Sequence, residues 1–177
     1  ITDIHAGPTV KRAFIERVVR EANRLDPDIV ALTGDLVDGS VEHLRGEVAP
    51  VGELSARDGV FFVTGNHEYY VGEKPWLAEL RRLGLTVLEN DHRIVERGGA
   101  RLLVAGVNDF DGGHGPGHHV SDPSAARAGA GRVDAAVLLA HQPRSVSTAA
   151  EAGYDLQISG HTRSEERRVG KECATGC

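Results

Sequence analysis

Residues 28–38 read Asp28-Ile29-Val30-Ala31-Leu32-Thr33-Gly34-Asp35-Leu36-Val37-Asp38. A continuous apolar run rich in β-branched residues and closed by Gly-Asp is the pattern of a strand buried on both faces, as in parallel sheets. Upstream, Ile1 to Ile4 is strand-like, and Pro8 opens a helix in which Ala13, Phe14, Val18, Val19 and Ala22 share one face. Downstream come a helical stretch from about Val41 to Ser55, a strand Val60-Phe61-Phe62-Val63, and a helix from Lys74 to Leu83. Strand alternating with helix predicts crossover units and an α/β sheet. Beyond Leu85 the pattern changes. Arg93 to Arg97 and Arg101 to Ala105, separated by Gly98-Gly99, read as an antiparallel hairpin. A Gly, Asp and His-rich loop from Asn108 to His119 and a short helix near Pro123 to Ala130 follow, then strands Ala135 to Ala140 and Leu156 to Ser159 around a helix from Arg144 to Ala152.

The chain has 177 residues, 40% of them hydrophobic and 26% charged, with a formal net charge of −6, which fits one soluble layered domain without repeats or linkers. Its longest apolar run, around Ala135 to Ala140, is far short of the roughly 20 residues of a membrane helix. Acidic balance and scattered Lys and Arg exclude a broad nucleic-acid surface. The chain contains no Met and opens on a strand already under way, which predicts a piece of a longer protein whose N-terminal segment, with any signal or membrane anchor, lies outside it. Cys173 and Cys177 would close only a tiny loop and staple no core. From Arg163 the sequence Arg-Ser-Glu-Glu-Arg-Arg-Val-Gly-Lys-Glu-Cys has mixed charge and no apolar periodicity. It resembles the translation of a sequencing-library adapter, so residues 163–177 are read as a non-native tail behind a domain spanning 1–162; the alternative is a charged, solvated C-terminal helix.

The apolar strands share one feature: metal-ligand residue types stand at their C-terminal ends, where an α/β sheet places its ligand crevice. The first ends in Asp3-Ile4-His5, with both polar side chains on the same side of an alternating strand. The others end in Gly34-Asp35-Leu36-Val37-Asp38, in Gly65-Asn66-His67-Glu68, in His141 and in Gly160-His161. Any one of these is an ordinary turn or surface pair; five in order at strand ends converge on one edge and predict a metal site. Together they offer hard oxygen and imidazole donors to one edge of one sheet.

These blocks resemble the calcineurin-like metallophosphoesterase family, whose motifs run D-x-H, G-D-x-x-D, G-N-H-E, a later His and G-H-x-H. The resemblance covers nearly all of Ile1 to Thr162, and the wording Gly65-Asn66-His67-Glu68-Tyr69-Tyr70 and Leu139-Ala140-His141-Gln142-Pro143 is similar to a bacterial, membrane-associated phosphodiesterase branch. It implies an α/β sandwich of mixed β-sheets flanked by helices, truncated here at both ends. It also implies a hydrolase that cleaves a phosphomonoester or phosphodiester with a hydroxide activated by two divalent ions, Mn, Fe or Zn. By the same resemblance Asp35 bridges the ions, Asp3 and His5 serve the first, Asn66, His141 and His161 hold the second, and His67 protonates or stabilises the leaving oxygen. Asp38 and Glu68 read either as groups that orient the ligands or, respectively, as a helix cap and a solvated carboxylate. The implied substrate is a small or lipid-linked phosphate ester, and the implied parent is membrane-associated in a bacterium.

One position departs from the family pattern. Where G-H-x-H asks for a second His, this chain has Arg163, a permanent cation that would cost the first site a ligand and repel a divalent ion. The competing expectation is therefore a catalytically impaired metal- or phosphate-binding module, lacking also the strands that follow the block and leaving a sheet edge bare. A two-metal hydrolase built on carboxylates alone is disfavoured by Asn66-His67. His114, His118 and His119 read as part of a solvated loop, His43 and His92 as surface residues, and Trp76 as a packing anchor.

Overall fold

The computed structural model describes residues 1–112 and 120–161 and the backbone of Glu166–Arg168. Two sheets pack face to face. The first is a parallel sheet of β1 (Val30–Thr33), β2 (Val60–Val63) and β3 (Thr86–Val87), in that order. The second is mixed, in the order β4 (Asp91–Arg97), β5 (Ala100–Gly106), β6 (Ala135–Leu139), β7 (Leu156–Ile158) and β8 (Glu166–Arg168). Helices α1 (Arg12–Arg24), α2 (Val41–Val48) and α4 (Glu73–Arg82) cover the outer face of the first sheet. Helices α5 (Pro123–Arg127) and α6 (Val146–Glu151) cover that of the second.

Period-two alternation builds this sandwich. Leu32 and Phe62 face the helices in the first core, whereas Phe61 and Val63 meet Val104 and Leu139 between the sheets. From the second sheet Leu103, Ala105, Ala136 and Leu138 face α5 and α6. Arg97 pairs with Ala100 across the turn Gly98-Gly99, whose φ values of 59° and 85° are those of a type I′ hairpin, as the sequence predicts. Trp76 is fully buried and donates its indole N–H to Gly39 O at 2.8 Å, the packing role expected of it.

Several expectations are corrected. Ile1 to Ile4 is not a regular strand. It runs along β1 through Thr33 N–H to Ile1 O and Asp3 N–H to Gly34 O, but left-handed backbone at Asp3 and His5 breaks the pleat. The buried face of α1 is Ile15, Val19 and Ala22, spaced i, i+4, i+7. Ala13 and Phe14 are rotated off that face and exposed, with the Arg17 guanidinium 5.2 Å from the Phe14 ring. The helix from Val41 stops at Val48 because Pro50 lacks an N–H, and the chain continues as a 3₁₀ turn over Ala49–Glu53. An additional helix, α3 (Asn66–Val71), begins inside the Gly-Asn-His-Glu block. His43 is exposed as expected, whereas His92 is half-buried and hydrogen-bonded to Ala126 O. The outer edge of β7 is paired antiparallel with Glu166–Arg168 rather than bare. His114, His118, His119 and Arg163 lie outside the described residues, as do both cysteines.

Candidate metal centre

The C-terminal ends of β1, β2, β6 and β7 meet at one edge of the sandwich, and their loops carry the candidate ligands. Asp35 is at the middle. Its Oδ2 lies 3.2 Å from His141 Nε2, 3.7 Å from His5 Nε2 and 4.0 Å from His67 Nε2. Two sets of potential ligand atoms share it: His5, Asp35 and His67 on one side, and Asp35, His141 and His161 on the other. His161 Nδ1 is 3.2 Å from His141 Nε2.

Local backbone explains how residues from such short motifs converge. Among the described residues six non-glycine positions have φ in the left-handed region, and four of them are Asp3, His5, Asp35 and His161. Each costs of order 1–3 kcal/mol and persists only where the surroundings over-determine it, a pattern concentrated at functional sites. Gly34 and Gly65 permit the close approach of the two loops. A Cβ on Gly34 would stand 2.5 Å from Gly65 N and 2.8 Å from His141 Nδ1, and one on Gly65 would collide with the Asp35 carboxylate.

The surrounding hydrogen bonds fix which atoms are free to bind a cation. Asp38 Oδ1 accepts from Nδ1–H of both His5, at 2.8 Å, and His67, at 2.7 Å. Both Nε2 lone pairs are thereby turned toward Asp35. His141 donates Nδ1–H to Thr33 O at 2.7 Å, which likewise directs Nε2 to Asp35. Asp38 is thus no helix cap; Ser40 takes the N-cap position of α2. Glu68 is not solvated either. Fully buried, it accepts the N–H groups of Gly65, Asp35 and Leu36 at 2.7, 3.0 and 2.8 Å, pinning the two motif loops together. Burial, reinforced by the Asp35 charge, pushes the Glu68 carboxyl up to about 7 against those three donors. Burial opposes ionisation of Asp35 too, but the His141 hydrogen bond and charge and the His67 N–H hold its carboxyl below the ordinary range. Reciprocally, burial disfavours charged His141, and Asp35 overrides it to raise the imidazole to about 9.

The donor set fits divalent ions. Asn66 Oδ1 is buried and has no hydrogen-bond partner among the described residues, an orphan that a cation would satisfy. Asp3 belongs to neither three-residue set; its carboxylate accepts the His161 N–H and the Thr2 hydroxyl and lies 4.0 Å from His5 Nε2. All nine sequence-predicted residues, Asp3, His5, Asp35, Asp38, Asn66, His67, Glu68, His141 and His161, stand on this edge. Sequence reasoning missed Asp109 and Gln142. Asp109 is 1% exposed, follows β5, and binds the Gln142 amide with both oxygens at 3.1 and 3.2 Å; burial pushes its carboxyl upward. The available signal was Asn108-Asp109, one more polar pair closing an apolar strand.

Residues 1–164 match the family described as Calcineurin-like phosphoesterase. The chain is 37% identical over 170 residues to a zebrafish (Danio rerio) protein named "Transmembrane protein with metallophosphoesterase domain", covering 92% of this chain and 39% of that protein. A Helicobacter pylori protein named as a metallophosphoesterase is 36% identical over 163 residues, covering 92% of this chain and 43% of that protein. The chain therefore spans well under half the length of these relatives. Among solved structures, the Haemophilus influenzae NAD nucleotidase superposes with a TM-score of 0.63 at 16% identity, over 92% of this chain and 42% of that one, which shows the shared fold. A Thermus thermophilus 5′-nucleotidase precursor gives 0.61 at 20% identity, over 90% and 40%. No helix among the described residues is long and apolar enough to cross a membrane. By motif, fold and family match, the chain belongs to the calcineurin-like phosphoesterase family.

Proposed function

We propose that this chain hydrolyses a phosphomonoester or phosphodiester using two divalent ions. The observation that carries the proposal is the single Asp35 oxygen faced by imidazole nitrogens from two sets of side chains. Asp35 would bridge the ions, with Asp3 and His5 on one side and Asn66, His141 and His161 on the other. When bound, the ions supply positive charge that polarises the phosphoryl group and lowers the pKa of a water. His141 must give up its proton to become a ligand, so loading strengthens as pH rises. His67 Nε2 stands at the same carboxylate as His5 Nε2, with its Nδ1 proton held by Asp38; as the imidazolium, carrying a second proton on Nε2, it would donate a hydrogen bond or proton to the leaving oxygen. Manganese suits this hard, mixed O and N donor set, as do iron and zinc. A membrane-tethered parent acting on a lipid-linked phosphate is in keeping with the relatives named as transmembrane proteins.

The test is hydrolysis of bis(4-nitrophenyl) phosphate after EDTA treatment and again after Mn²⁺ is restored. Activity is expected to vanish on chelation and return with the metal; hydrolysis indifferent to both treatments would overturn the proposal. Arg163 favours a second reading, the impaired metal-binding module. An Arg163→His chain with a family-like C-terminal end discriminates: activity confined to that variant identifies the given chain as impaired, and no activity in either, with folding and metal content verified, sinks the enzyme.

Asp38→Ala offers a separate check on the ligand-orienting hydrogen bonds. Because one Asp38 oxygen holds both His5 and His67, its loss should weaken Mn²⁺ binding by about 10–100-fold in a metal titration, with little change in melting temperature. An unchanged affinity would show that the two imidazoles need no such support.

A further inference from the structure

The loop leaving β5 and the turn leaving β6 build a second polar assembly beside the metal centre. Asp111 Oδ2 accepts from Gln142 Nε2 at 3.0 Å and from Arg144 Nη2 at 3.1 Å. The Arg144 guanidinium stands 4.3 Å from the centroid of the Phe110 ring. Three connections anchor this assembly to the candidate site. Gln142 follows His141 directly and is clamped by buried Asp109. Asp109 N–H donates to Thr64 Oγ1, two residues before Asn66. Gly112 lies so close to Tyr69 of α3 that a Cβ there would come within 2.8 Å of the ring. Arg144 lies three positions after His141, so their Cα atoms are at most about 11 Å apart.

Stability does not account for the arrangement. The Arg144 and Asp111 side chains are 50% and 42% exposed, and an ion pair in such surroundings contributes little. Phe110 is 53% exposed, and the Arg144 guanidinium lies over its ring. A planar guanidinium seated on a ring and held at one Nη2 keeps donors available in a fixed fork, the geometry that recognises phosphoryl oxygens in pairs.

We propose that Arg144, seated on Phe110 and held by Asp111, is a specificity-determining residue that binds a second, non-scissile phosphoryl group of the substrate. This rests on the phosphoesterase reading and narrows it to phosphoesters bearing an additional phosphoryl group. Affinities of the Mn²⁺-loaded protein for methylenediphosphonate and for methylphosphonate, measured by calorimetry, test it directly. Arg144→Ala should weaken the diphosphonate by about tenfold or more, the loss of one charge-assisted contact. Methylphosphonate should weaken by no more than about threefold. Arg144→Lys should recover only part of the loss, since an ammonium neither forks nor stacks, and Phe110→Ala should fall between wild type and Arg144→Ala. Equal losses for the two phosphonates, or none, would overturn the assignment. Because binding is read without turnover, these outcomes judge Arg144 even if the aryl diester is not hydrolysed, which would instead count against the enzyme.

Discussion

Asp35→Asn lowers hydrolysis of bis(4-nitrophenyl) phosphate by at least about 10³-fold, equivalent to roughly 4 kcal/mol of barrier, and the purified variant carries less than a full complement of metal. The substitution keeps size and shape, so the fold survives. The Oδ1 acceptor for the His67 N–H at 3.0 Å is retained, while the charge at Oδ2, the atom facing His5, His67 and His141, is lost. A neutral amide cannot bridge two cations, and both halves of the site fail together. Metal analysis by plasma mass spectrometry, with circular dichroism as the folding control, separates this from simple unfolding. A variant with native metal content and native rate would show that Asp35 is not the shared ligand.

Glu68→Ala has its largest effect on stability. Three buried N–H groups, of Gly65, Asp35 and Leu36, lose their acceptor at once. Each orphaned donor costs about 1–3 kcal/mol, so a net loss of roughly 4 kcal/mol is expected, and in a domain of this size the melting temperature falls by about 8–16 °C. Glu68→Gln should be intermediate. Its amide oxygen can serve Gly65 and Asp35, which share Oε2, but its NH₂ would face the Leu36 N–H, donor against donor. Thermal denaturation of the two variants orders them; equal melting temperatures in all three proteins would remove the structural role.

Much of this architecture was legible because it rests on periodicity. Continuous apolar runs such as Ile29 to Thr33 are those of a strand buried on both faces, and Gly98-Gly99 between two strand-like runs marks a hairpin turn. The motif residues were legible because donors followed four strands, and one extended segment beside β1, in sequence order. What escaped depends on backbone torsion and on tertiary neighbours. Nothing in Asp3-Ile4-His5 announces that two non-glycine residues adopt left-handed backbone; the two side chains do come within 4.0 Å, but by torsion rather than by strand alternation. Phe14 outweighs Ile15 in hydrophobic bulk, yet a rotation of one residue decides which is buried. Helix α3 hid within a motif because its N-cap is Gly65, and the Glu68 carboxylate reaching back to the Gly65 N–H supplies only half of a capping box. Asp109 reads as a loop residue until β5 and β6 are seen to be neighbours.

The two ligand sets differ in how much chain each requires. His5, Asp35 and His67 all precede β3, whereas His141 reaches back to Thr33 O across 108 residues and brings the second sheet with it. During synthesis from the N-terminus, the first trio can gather once the early crossover units have emerged, while the second must wait for β6 and β7. The candidate centre is thus divided along the polypeptide: an early set that draws on the first sheet alone, then a late one that closes only where both sheets have docked.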